Sequence, residues 1–144
     1  MSAPMSYAQK KQPKKMPRPD IAQHAAAFED ARQILASARP LSRLEFSGLV
    51  HSLHASSEKA IYQANRWLEQ QGHEVPAAAC DTFSTLARLG LMPVEDLPAW
   101  NTIIDLRNQF VHDCLNLDEQ LIQTLVLERK ERLVLDFLLR DFPS

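Results

Sequence analysis

Arg107, Asn108 and His112 put a permanent cation, an amide and an imidazole within six residues of an otherwise apolar, helix-patterned stretch. Arginine stays charged at any accessible pH and offers a planar fork suited to phosphate. Histidine takes up and returns a proton near neutrality. A phosphate clamp beside a proton shuttle is the minimum equipment for cleaving RNA without a metal. Asn108 and His112 are four apart and share a helix face, whereas Arg107 and His112 are five apart. A single straight helix therefore does not stack the cation on the imidazole, and the two can meet only on a shared phosphate, at a distorted helix end or across a dimer interface. From the residue types alone the alternative stays open that Arg107 pairs with a surface acid such as Asp105 or Asp113, and that His112 is structural.

Other constellations are weaker. His51 and His54 are three apart and could share a metal, but no carboxylate completes a ligand set at a clear spacing, so no metal or cofactor is expected. Histidine phosphotransfer calls for a Lys and a small residue after the histidine, and His112-Asp113-Cys114-Leu115-Asn116 has neither. Gly48, Gly72 and Gly90 are isolated, which excludes a phosphate-cradling glycine loop. Trp67 and Trp100 read as core or interface anchors.

The elements that must position these residues are helical. The first helix is expected from about Asp20 to Ala38, ended by Arg39-Pro40 because the residue before proline avoids the helical region. Ser42-Arg43-Leu44-Glu45 forms a capping box for a long second helix that stops at Gly72. A third runs from Pro76 to Gly90, and a fourth carries Trp100, Ile103, Ile104, Leu106, Phe110 and Val111. Asp118 caps a last, Leu-rich helix from Leu121 to about Phe142. Nothing alternates with a strand period, so the fold class is all-α, a bundle of about five helices.

Composition sets the remaining bounds. The chain has 144 residues, 45% of them hydrophobic and 24% charged, which suits one soluble domain with a real core. Residues 1–19 hold Pro4, Pro13, Pro17 and Pro19 and read as a disordered basic arm ahead of a helical domain over 20–144. Lys10, Lys11, Lys14, Lys15 and Arg18 oppose only Asp20 in the first 20 residues, while the rest holds 11 Lys+Arg against 17 Asp+Glu. A broad basic face for duplex nucleic acid is thus excluded, and any RNA contact must be local or assisted by the arm. Two cysteines without a CxxC spacing, no secretory signal and no apolar run of the ~20 residues a membrane span needs point to the cytoplasm.

Arg107-Asn108-Gln109-Phe110-Val111-His112 resembles the R-N-x-x-x-H signature of HEPN ribonucleases, and the chain is similar to their HepT-like branch, the toxins of HEPN/minimal-nucleotidyltransferase toxin–antitoxin modules. The likeness extends to Phe83–Pro93 with its Gly90-Leu91-Met92-Pro93, to Ala60–Asn65, and to Leu115–Asp118 followed by an amphipathic helix, covering roughly residues 45–140. It implies a homodimeric HEPN-like bundle that cuts RNA (tRNA or mRNA) without a metal and is restrained by a minimal nucleotidyltransferase antitoxin. His112 would act as general base, Arg107 would stabilise the phosphorane, and Asn108 would orient His112 or bind a phosphate oxygen. One position departs from the pattern: Cys114 stands where the family carries the tyrosine that its nucleotidyltransferase modifies with AMP. The alternative it raises is a catalytically degenerate module that binds a nucleotidyltransferase.

Overall fold

The computed structural model describes residues 18–141, so the expectation for the basic arm lies almost wholly outside the described residues. Those residues form α1 (Pro19–Ala36), α2 (Arg43–Gln70), α3 (Ala79–Arg88), α4 (Leu97–Asp113), α5 (Glu119–Leu127) and α6 (Glu131–Leu138). Short 3-10 turns, Val94–Asp96 and Cys114–Asn116, flank α4. No strand occurs among the described residues, and no helix there is long and apolar enough to cross a membrane.

The capping box at α2 is complete: Glu45 N–H donates to Ser42 Oγ at 3.0 Å, and Ser42 N–H donates to Glu45 Oε1 at 2.8 Å. Asp118 Oδ1 likewise accepts from Leu121 N–H at 3.0 Å and starts α5. Helix α2 is the longest element and packs against α1, α3, α4 and α6. Its buried residues Leu49, Leu53, Ala60, Ala64 and Leu68 form the spine of the core. Trp100 stacks on Phe83 at 4.1 Å, and Phe137 lies 4.7 Å from Trp67 and 5.3 Å from Trp100. Both tryptophans are therefore core anchors, and the cluster ties α2, α3, α4 and α6 together.

The expected single last helix is two. After α5 the chain closes a Schellman turn, with Lys130 N–H donating to Leu125 O at 2.9 Å and Arg129 N–H to Val126 O at 3.0 Å. The same turn ends α2 at Gly72 and α3 at Gly90, where glycine accepts φ of 81° and 78°. At the third turn the left-handed position (φ 60°) is filled by Arg129, so the break carries no glycine signal. An L side chain there costs about 1 kcal/mol or more. Arg129→Gly should therefore raise stability by roughly 1 kcal/mol, less the small worth of the exposed 3.9 Å contact from Arg129 to Glu29. Urea denaturation of the two proteins checks this.

His24 is buried between α1 and α2, with Nδ1 3.0 Å from Ser52 Oγ. Burial, reinforced by the neighbouring His51 and Lys59, holds its pKa below the ordinary 6.5. The folded state thus binds the His24 proton less readily than the unfolded chain does. Its stabilising contribution is complete above pH 6.5 and is lost as pH falls from there through the depressed folded value. His24→Gln should flatten the pH dependence of urea stability below 6.5; an unchanged slope would remove His24 from that role.

Candidate active site

Helices α2 and α4 run antiparallel along the seam that carries the site, since His54 meets Phe110 and Glu58 meets Arg107. Arg107 lines a small crevice in that seam together with His54, Ser57, Leu106 and Phe110. Its guanidinium reaches the surface half-buried, with 28% of the side chain exposed.

The partner of Arg107 is neither Asp105 nor Asp113. Arg107 Nε donates to Glu58 Oε2 at 2.9 Å and Nη2 donates to Glu58 Oε1 at 3.3 Å, a side-on, two-point contact across the helix pair. Nη1 donates to Asn108 Oδ1 at 2.9 Å. Asp113 instead accepts from Asn116 Nδ2 at 2.9 and 3.0 Å. A guanidinium has five N–H groups. These three bonds leave one on each terminal nitrogen, the number a bidentate phosphate contact needs.

Asn108 thus lies against Arg107, one position along α4, and its carbonyl oxygen is engaged there. His112 is exposed in the last turn of α4. The helix is continuous from Arg107 to His112 and breaks only at Asp113, whose φ is −157°. Five residues turn the helix by about 500°, so the two side chains leave the axis about 140° apart. Cys114 opens the following 3-10 turn, exposed and outside any disulfide. Exposed Val111 and Leu115 flank the imidazole on the same terminal turn and its extension.

His54 and His51 are turned to different neighbours. His54 Nε2 lies 3.7 Å from Glu58 Oε2, and its ring packs 4.2 Å from that of Phe110. His51 turns toward His24, ring to ring 6.0 Å. Among the described residues no group of three or more His, Cys, Asp or Glu side chains is arranged to hold a metal ion.

The residue that sequence reasoning missed is Glu58. It is 49 positions from Arg107, and no local spacing links them. The one available signal was its place four residues after His54 on a helix whose exposed face holds few acids.

A family model described as "Ribonuclease HepT-like" matches residues 21–135, most of the chain. None of the curated proteins matches it. Among solved structures, the tri-AMPylated HEPN toxin of Shewanella oneidensis, in complex with an MNT antitoxin, superposes with a TM-score of 0.67 at 21% identity, covering 83% of this chain and 93% of that one. A toxin–antitoxin complex with AMP-PNP superposes with a TM-score of 0.60 at 19% identity, covering 85% of this chain and 99% of the other. At such identities the superpositions establish a shared fold.

Proposed function

The chain belongs to the HepT-like ribonuclease family, and on that premise we propose that it is the toxin of a toxin–antitoxin module, an endoribonuclease that cleaves RNA without a metal through Arg107 and His112. The observation that carries this reading is the Arg107 fork, fixed by Glu58 and Asn108 with two N–H groups free for a phosphate, five positions ahead of an exposed imidazole.

In the reaction His112 takes the proton of a ribose 2′-hydroxyl. The 2′-oxygen then bonds to the adjacent phosphorus, and the bond from phosphorus to the 5′-oxygen breaks. The products are a 2′,3′-cyclic phosphate and a 5′-hydroxyl, which collects a proton as it leaves. Arg107 holds the phosphate oxygens on which negative charge accumulates. Asn108 works on Arg107 rather than on His112. Because Arg107 and His112 diverge around α4, the active unit is a homodimer in which the two motifs share a cleft.

The partner that restrains it is a minimal nucleotidyltransferase antitoxin, in keeping with the antitoxin complexes of its structural relatives. A second reading rests on Cys114. A thiol replaces the phenol expected to accept AMP, which favours a degenerate module that docks the nucleotidyltransferase without cutting RNA.

The test is cleavage of defined tRNA and mRNA by purified protein in EDTA, wild type beside Arg107→Ala and His112→Ala. Cutting that survives chelation, leaves cyclic phosphate ends and vanishes in both variants supports the nuclease. A folded wild-type dimer that leaves RNA intact supports the binding module.

A further inference from the structure

We propose that Glu58 is a positioning residue of this site, holding Arg107 in the orientation that presents its two free N–H groups to the scissile phosphate; the inference rests on the ribonuclease reading above.

An exposed carboxylate–arginine pair is ordinarily worth about 0–1 kcal/mol and implies nothing about function. Three features set this one apart. The contact is side-on through Nε and Nη2, which fixes the rotation of the guanidinium plane as well as its distance. The side chain also rises from an α2–α4 crevice that it lines with His54, Ser57 and Phe110, so that one side of it is packed while 28% stays exposed. The oxygen that accepts from Arg107 Nε, Glu58 Oε2, also lies 3.7 Å from His54 Nε2, one helical turn earlier on α2 and itself packed on Phe110 of α4. Both helices therefore converge on the orientation of one fork. Asn108 completes it by occupying one N–H of Nη1.

Net charge gives the arrangement a cost, because Glu58 offsets the cation that has to attract RNA. A carboxylate retained against that cost is explained by geometry, since a misplacement of about 1 Å can lose 100-fold in rate. The expected signature is a kinetic effect far larger than the stability effect.

Cleavage by the full chain should be followed in EDTA for wild type, Glu58→Ala, Glu58→Gln and Glu58→Asp, with Glu69→Ala as a control for removing an acid from the same helix. Among the described residues the Glu69 side chain makes only a 3.9 Å contact to Arg66. Glu58→Ala should lower kcat by roughly 10–100-fold, with KM changed much less and the melting temperature nearly constant. Glu58→Asp should recover part of kcat; Glu58→Gln, with one acceptor oxygen, should recover little. Glu69→Ala should match wild type.

A Glu58→Ala protein with wild-type kcat would overturn the inference while leaving the ribonuclease reading intact. A raised kcat would overturn it too, by making the carboxylate a competitor of the phosphate. A wild type that does not cut RNA would overturn the reading itself, and Glu58 would then have no catalytic arginine to position. The Arg107 Nε–H resonance provides a check independent of activity: broadening or exchange specific to Glu58→Ala is expected, and an unchanged signal would refute the clamp.

Discussion

His112→Ala should lower RNA cleavage by roughly 100- to 10,000-fold, the range of a lost general base, while leaving the fold and melting temperature untouched. The imidazole is exposed and anchors no core contact, so there is little stability to lose. Arg107→Ala should cost roughly 100- to 1,000-fold through lost stabilisation of the phosphorane. Arg107→Lys should rescue little, because an ammonium cannot donate side-on to Glu58 and still present a fork to phosphate. Mixing the two alanine variants tests the assembly as well. If each cleft takes its arginine from one copy and its histidine from the other, randomly reassorted dimers hold one intact cleft in half of the molecules. Activity should then return to about a quarter of wild type. No recovery would place both residues of each working site in one protomer, against their divergence around α4. Equal activity in wild type and His112→Ala would end the nuclease reading.

Local chemistry made much of the fold legible. The Ser42–Glu45 box and the glycines at 72 and 90 each act within a few residues, and each starts or ends a helix as expected, whereas α1 already stops at Ala36, where Ala38 takes φ 63° ahead of Arg39-Pro40. The split between α5 and α6 escaped because Arg129 fills a left-handed position that glycine usually marks. The paired state of Arg107 escaped for a different reason. Nearby Asp105 and Asp113 were the obvious acids, but α4 presents Arg107 toward α2, and only the packing of two distant segments brings Glu58 within 2.9 Å. His51 and His54 illustrate the same limit: three positions apart on one helix, they are claimed by different neighbours, His24 and Glu58. Residue types and spacing identified the catalytic candidates; the side chains that orient them are a tertiary property.

The largest stability effect should come from Glu131→Ala. Glu131 is 1% exposed at the start of α6, and its Oε2 accepts from Arg32 of α1 at 2.6 and 3.1 Å. Its other oxygen, Oε1, has no partner among the described residues. Burial pushes the Glu131 carboxyl above the ordinary 4.5, even with the Arg32 cation pulling the other way. The sign means that desolvation outweighs attraction, as is common for buried ion pairs. The native state therefore loses stability as pH rises from 4.5 through the elevated folded value. Removing only the acid is worse than keeping the pair, because it leaves the buried Arg32 guanidinium with only the more exposed Glu29, 3.5 Å from its Nε, to offset it, at a cost of about 3–5 kcal/mol. For a domain of this size that corresponds to a melting temperature lower by roughly 10–20 °C. Replacing both partners by apolar residues (Arg32→Met with Glu131→Leu) should cost much less than Glu131→Ala, since no charge is then stranded. Glu131→Gln should fall between them, keeping an acceptor for Arg32 while removing the buried negative charge. Calorimetry on the four proteins decides the matter. A Glu131→Ala protein that melts within a few degrees of wild type would mean that Arg32 swings to solvent or to Glu29, 3.5 Å away, and that the Val134–Leu138 face and its aromatic contacts, rather than the ion pair, hold α6 against α1 and α2.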